Sequence, residues 1–379
     1  MQRAWRIIGY LLLWSFVVGF VVFFNSRATQ HRASEQVKGL QVELVDSLPD
    51  ETLMSSKLVE QWISQAGIHT VGVTINEVDL VGIEKAIRGN GFVDRASAYV
   101  THDGVLHIEV SQRKPVMRLV VDGYDCYVTQ EGFVFPSPGR SAVYVPVVSG
   151  SYAPPAPRDF VGQVKVHIDT LIEASNERIH QLQLQKKPFF DREQEIADSV
   201  KRARGLKVDK KGRILGVGVR YKGWFESDEE YNQRIIAKRL EKNALYRRYR
   251  YWRAVNDKNI AAITARQDIE RDKQKKLLKR YEDFTKLINF VKYIEKDSFW
   301  SAEIVQIVAS TMSSGDLQLQ LIPRTGSYTI DFGQVGDVKQ TKEKLDRLYA
   351  FYQKGLTNLG WETFSTISVR YQGQVVCRK

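Results

Sequence analysis

The stretch GFVDRASAYVTHDGVLHIEVSQRKPV, residues 91–116, sets the frame for the rest of the chain. Arg95 to Thr101 and Val105 to Ser111 read as two strands, joined by His102-Asp103-Gly104. An Asp-Gly pair between two strand runs is a strong hairpin signal. Upstream, the residues from about Val78 to Arg88 read as a helix that ends at Gly89-Asn90-Gly91. Before it, Thr70 to Asn76 reads as extended. An earlier helix starts at Pro49-Asp50-Glu51, places Leu53, Leu58, Trp62 and Ile63 on one face, and stops at Gly67. Gly39 to Val45 alternates well enough for a strand. The order strand, helix, helix, strand, strand predicts a small sheet with two helices on one face.

Downstream of Lys114-Pro115 the pattern stays β. Val116 to Val121, Tyr124 to Thr129, Gly132 to Phe135 and Tyr144 to Val148 read as short strands separated by turn residues. The Pro-, Ser- and Ala-rich run from Ser149 to Arg158 marks a boundary. Beyond it, Lys186 to Lys222 shows no readable order. Ser227-Asp228-Glu229-Glu230 carries a helix-start signal, and a helical pattern runs on to about Ile294, with a break expected near Asn256-Asp257. Strands are expected again at Glu303 to Ala309, Asp316 to Ile322 and Ser327 to Phe332. A helix from about Asp337 to Asn358 follows, then strands at Thr363 to Tyr371 and Gln374 to Arg378. The fold class is therefore α+β.

The amino-terminal end carries a different signal. Arg3 and Arg6 precede an uncharged run from Ile7 to Phe24, and Arg27 follows it. As a helix this run would be roughly 27 Å long, near the thickness of a bilayer's hydrocarbon core. The expected order is a cytoplasmic stub at 1–6, a single transmembrane helix at 7–25 and a linker at 26–38. Ile7, Leu12, Trp14, Phe16 and Phe24 would line the anchor. A cleaved signal peptide is the rival, weakened by the length of the run and its basic flanks. Charge bias does not orient the segment. A short stub usually stays in the cytoplasm, which puts the bulk outside.

Composition narrows the function classes. The net charge of +12 resides in one segment: Lys165 to Lys292 holds 32 Lys+Arg against 19 Asp+Glu, and the remainder holds 24 against 25. Two cysteines, Cys126 and Cys377, are too few for a disulfide framework or a zinc site; one bridge or two inert thiols both fit. His31, His69, His102, His107, His167 and His180 lack metal-ligand spacing. Gly212, Gly216 and Gly218 lack the strand-before, helix-after setting of a nucleotide loop. No catalytic, metal or cofactor-binding set emerges, and no small-molecule substrate is implied.

The ordered series of segments resembles the FtsQ/DivIB family of cell-division proteins. Gly91-Phe92-Val93, Leu106-His107-Ile108-Glu109-Val110 and Arg113-Lys114-Pro115-Val116 are similar to the end of that family's POTRA domain. Asp122-Gly123-Tyr124, Glu131-Gly132-Phe133-Val134-Phe135-Pro136 and Val145-Pro146-Val147-Val148-Ser149-Gly150 are similar to the opening of its β domain. Leu321-Ile322-Pro323-Arg324-Thr325-Gly326, Phe332-Gly333 and Lys344-Leu345-Asp346-Arg347-Leu348 are similar to its C-terminal half. The resemblance covers roughly 1–160 and 284–379. It implies a POTRA domain at 39–113 and a β domain at 114–379, the latter interrupted by a basic, partly helical insertion at about 160–285 that departs from the family pattern.

The resemblance also implies a function: a non-enzymatic divisome scaffold in the inner membrane at the septum. Its bulk would lie in the periplasm, it would bind FtsB and FtsL, and it would meet no nucleic acid. Strand addition of FtsB would fall on Phe364, Ser365, Thr366, Ile367, Ser368, Val369, Arg370 and Tyr371. The alternative for Ile367, Val369 and Tyr371 is that they fill the core. Val42, Leu44, Trp62, Ile87, Phe92, Ile108 and Val110 read as core of the POTRA domain. In the insertion, Arg247, Arg248, Arg250, Trp252 and Arg253 alternate cationic and aromatic chemistry that suits an anionic surface. A solvated helix with its aromatics packed on a partner helix reads the same way. The rival function is a POTRA-type chaperone-like binding module of an envelope secretion or assembly system.

Overall fold

A computed structural model of the chain describes residues 13–23, 35–45, 53–138, 143–205, 222–357, 360 and 362–379. The expected stub, Ile7, Leu12, Phe24, the helix start at Pro49-Asp50-Glu51 and the glycines 212, 216 and 218 lie outside the described residues. Two compact units divide the chain. One comprises Met1–Lys165 with Arg280–Lys379, the other Val166–Lys279.

In the first unit, residues 13–23 form helix α1, on which Trp14 and Phe16 are exposed. Among the described residues, no helix is long and apolar enough to cross a membrane.

A three-stranded sheet follows, made of β1 (Gly39–Val45), β2 (Val93–Val100) and β3 (Val105–Gln112) in the order β1-β3-β2. β1 runs parallel to the central β3, and β2 runs antiparallel to it. Helices α2 (Ser56–Gln65) and α3 (Leu80–Arg88) supply the rest of the core. Leu106, Ile108 and Val110 alternate along β3 and are fully buried with Ile83, Ile87 and Val59. Val42, Leu44, Trp62 and Phe92 pack around that core.

Two boundaries differ from the sequence reading. Helix α3 starts at Leu80, not Val78, because the Asp79 carboxylate accepts from the Gly82 N–H at 2.8 Å and caps the helix there. Leu53 lies before α2. It packs instead with Tyr127 and Phe135, and its N–H donates to Gln112 Oε1 at 2.7 Å.

The second sheet has ten strands. They are β4 (Pro115–Val121), β5 (Tyr124–Thr129), β6 (Phe133–Pro136), β7 (Val147–Ser151), β8 (Gly162–Gln163), β9 (Ile304–Thr311), β10 (Leu317–Pro323), β11 (Thr329–Gln334), β12 (Thr366–Ser368) and β13 (Val376–Arg378). Their order is β13-β12-β11-β10-β9-β7-β4-β5-β6-β8. β7 was expected from Tyr144. It begins after Pro146, which has no N–H to offer a ladder. β7 pairs in parallel with β4 on one side and β9 on the other.

Arg113 ties the two sheets together. Its guanidinium donates to the carbonyls of Gly91 and Val93 and stacks 3.6 Å over the Phe133 ring. Gly91 permits this junction, since a Cβ there would lie 2.7 Å from Phe135 Cβ.

Three more helices lie between β8 and β9 in the chain. α4 spans Val164–Gly205, α5 spans Asp228–Lys296 and α6 spans Ser298–Glu303. The carboxyl-terminal turns of α5 bury Phe284, Leu287, Phe290, Val291 and Ile294 in the first unit. Phe290 meets Phe332 of β11 edge to face at 4.9 Å. α7 (Val338–Phe351) runs on without a break through the next turn, so helical backbone extends to Thr357, as the expected 337–358 has it. Asp337 caps its start, and the continuation over Tyr352–Leu356 is a wider helical turn.

The second unit pairs α4 with α5. Glu270 accepts from Arg178, Lys273 and Ser175, Gln267 donates to Gln183, and Asn176 accepts from Gln274. Two sequence expectations fail here. The stretch from Lys186 that showed no order is helical to Gly205, with Pro188 inside the helix. The break expected at Asn256-Asp257 is absent, because Asn256 is buried and spends its amide on the Phe189 carbonyl at 2.9 Å.

Candidate partner-binding edge

The segment Phe364 to Tyr371 is largely built into the sheet. Over Thr366–Ser368, β12 pairs in parallel with β11 and antiparallel with β13. Ser365 uses its N–H on the Arg378 carbonyl and its C=O on the Thr329 N–H. The Val369 N–H donates to the Asp331 carbonyl at 3.0 Å. The strand is therefore shorter than the expected 363–371, and it is not the edge of the sheet. The edge on that side is β13. An edge strand presents one row of backbone N–H and C=O groups that no neighbour in the sheet uses, and an added strand pairs with such a row.

The side chains divide differently from a simple two-face reading. Ile367 and Val369 are fully buried, as the core reading held, whereas Tyr371 is 47% exposed. Ser368 donates to Asp331 Oδ2 at 3.1 Å. Arg370 bridges Asp331 Oδ1 at 3.3 Å and Gln318 Oε1 at 2.8 Å. This polar set fixes where β12 ends. Gly333 gives it room: its φ is +72°, and a Cβ there would lie 2.9 Å from Arg370 Cγ. Nearby, Lys344 donates to the Phe332 and Gln334 carbonyls, and burial lowers its pKa from the usual lysine value.

The two cysteines stay apart. Cys126 is buried on β5 and Cys377 is half-buried on β13, and both are free. Six strands separate β5 from β13 in the sheet, about 33 Å at the usual strand spacing, which no disulfide spans. Burial pushes the Cys126 thiol up to about 12.

The other residues singled out in the sequence fall elsewhere. Arg247, Arg248, Arg250, Trp252 and Arg253 are all exposed on α5. Arg250 lies 6.0 Å from the Tyr246 ring, and Arg253 pairs with Asp257 at 4.0 Å. Of the histidines flanking the hairpin turn, His107 stacks on Tyr99 at 5.5 Å, and the Tyr99 hydroxyl donates to Glu109. Sequence reasoning found the strand at Gln374 to Arg378 but not its place at the edge, because order along the chain does not give order in a sheet. It also missed Trp224 and Phe225, which no periodicity marks.

A family model described as FtsQ/DivIB, C-terminal related, matches residues 263–378. A second, described as a POTRA-like domain, matches residues 35–111, which contain the three-stranded sheet and its two helices. A comparison with curated proteins finds no match. The first match contains β9 through β13, the second β1 through β3. The chain thus joins a region similar to POTRA-like domains, at residues 35–111, to one similar to the FtsQ/DivIB C-terminal related domain, at residues 263–378.

Proposed function

We propose that this protein is a membrane-anchored scaffold of the bacterial divisome. Residues 7–25 anchor it in the cytoplasmic membrane, and the two sheets lie outside. It receives an extended segment of an FtsB-type partner, which travels with FtsL, and links early division proteins to septal peptidoglycan synthesis. The observation that carries this reading is the FtsQ/DivIB C-terminal match, which ends on a sheet whose last strand, β13, is its terminal strand among the described residues. The strand addition moves from the 364–371 segment to Val376, Cys377 and Arg378. Backbone pairing supplies affinity there, and alternate side chains supply selectivity.

The test is photo-crosslinking in dividing cells, alongside an amino-terminal fluorescent fusion. A crosslinker at Arg378 is expected to capture the FtsB-type partner, and one at the buried Ile367 is not. The fusion is expected as a midcell band in constricting cells. An even outline along the envelope, with no capture from Arg378, would sink the proposal in favour of an envelope secretion module.

A further inference from the structure

Trp224 and Phe225 are 100% and 102% exposed. They occupy the middle of a turn that is built to hold them out. The Glu226 N–H donates to the Gly223 carbonyl at 3.1 Å, and the Glu226 carboxylate accepts from the Gly223 N–H at 2.9 Å and from Arg234 at 2.8 Å. Lys222 pairs with Asp228 across the same turn. Ser227 and Glu230 then exchange hydrogen bonds in a capping box that starts α5. A turn braced this way keeps two large apolar side chains in water, which is unfavourable unless something covers them.

The helix that follows continues the pattern. Ile236, Leu240 and Tyr251 are all more than half exposed. At 100° per residue they lie within about 60° of one another on one face of α5. Arg239, Arg247, Arg248 and Arg250 are exposed on or beside that stripe. From Tyr231 to Arg253 the chain holds eight Lys+Arg and one acidic residue, Glu241. An apolar stripe flanked by long cationic side chains is the pattern of a helix lying in a membrane interface, with aromatic rings at headgroup level and basic groups on anionic lipid.

We infer that the turn at Gly223–Glu226 and the adjoining face of α5, to Arg253, dock on an anionic bilayer surface, with Trp224 and Phe225 inserted at the headgroup level. The inference takes from the proposed function only the presence of a bilayer. The second unit becomes a second membrane contact, separate from the anchor in sequence and reversible.

The experiment uses the full chain reconstituted into phosphatidylcholine vesicles, with or without phosphatidylglycerol, and with brominated acyl chains as quencher. Flotation reads the anchor, and quenching reads Trp224. In vesicles containing phosphatidylglycerol, Trp224→Phe is expected to remove a distinct part of the bromine-quenched emission, leaving the part that Trp5 and Trp14 of the anchor contribute. Changing Arg239, Arg247, Arg248 and Arg250 to Gln, or raising the salt, should remove the same component without changing flotation. A chain that floats but shows equal quenching in Trp224→Phe overturns the inference and leaves the anchor standing. Quenching of Trp224 that ignores phosphatidylglycerol overturns the anionic-surface assignment. A chain that stays with neither vesicle type overturns both readings.

Discussion

Gly333 shows how one residue sets the end of a strand. Its φ of +72° is open to glycine and costly for a side chain, and Arg370 fills the space where a Cβ would go. Gly315 has a similar φ of +85° but open space around it. Gly315→Ala therefore measures the backbone cost alone, about 1–2 kcal/mol. Gly333→Ala is expected to cost more than Gly315→Ala, because Arg370 must also leave Asp331 and Gln318. Urea denaturation of the two variants checks this, and equal midpoints would remove Arg370 from the account. Little of this is legible in sequence. Phe332-Gly333 stood out only through family resemblance, and nothing along the chain joins position 333 to position 370.

At the scale of elements, legibility followed locality. The hairpin at residues 93–112 declared itself through alternation and Asp-Gly, and α5 announced its start at Ser227-Asp228-Glu229-Glu230. Both signals act over a few residues. The strands at 147–151 and 366–368 depend on partners distant in sequence, and their limits were misjudged by several residues. The pairing of α4 with α5 was invisible for a related reason. Its contacts are polar, so Ser175, Asn256 and Gln267 are buried where a helical pattern leads one to expect leucines.

That polar seam gives a pH prediction. Hydrogen bonds from Lys273 and Arg178 hold the Glu270 carboxyl down at about 2. Its unfolded value is the ordinary one, near 4.3. The unfolded chain thus takes up this proton first as pH falls. The stabilisation is complete above the unfolded value and is lost as pH falls through about 2. Glu270→Gln should flatten the acid limb of stability for the second unit, followed by helical circular dichroism. An unchanged limb would show that the seam does not depend on this carboxylate.

The whole molecule divides unevenly. Among the described residues of Val166–Lys279, the buried apolar side chains are Ile168 and Ala203, whereas the first unit buries complete cores in both sheets. Apolar burial dominates stability, so the second unit is expected to unfold first. Hydrogen exchange of the intact chain should show amides of α4 and the first two thirds of α5 exchanging well before those of β3 and β9. Simultaneous exchange across both units would mean that they unfold as one.

The placement of β7 has a further consequence, for the birth of the protein. β7 is hydrogen-bonded to β4, already made, and to β9, which lies roughly 150 residues later in the chain. At typical synthesis rates that interval is on the order of 10–30 s. Through it, the nascent half-sheet offers β7 as an unclaimed template, open to a neighbouring copy emerging from the same messenger. The central joint of the finished sheet is therefore the point of greatest hazard while the polypeptide is being made. A chaperone that binds extended chain in that window would protect assembly without touching the mature fold.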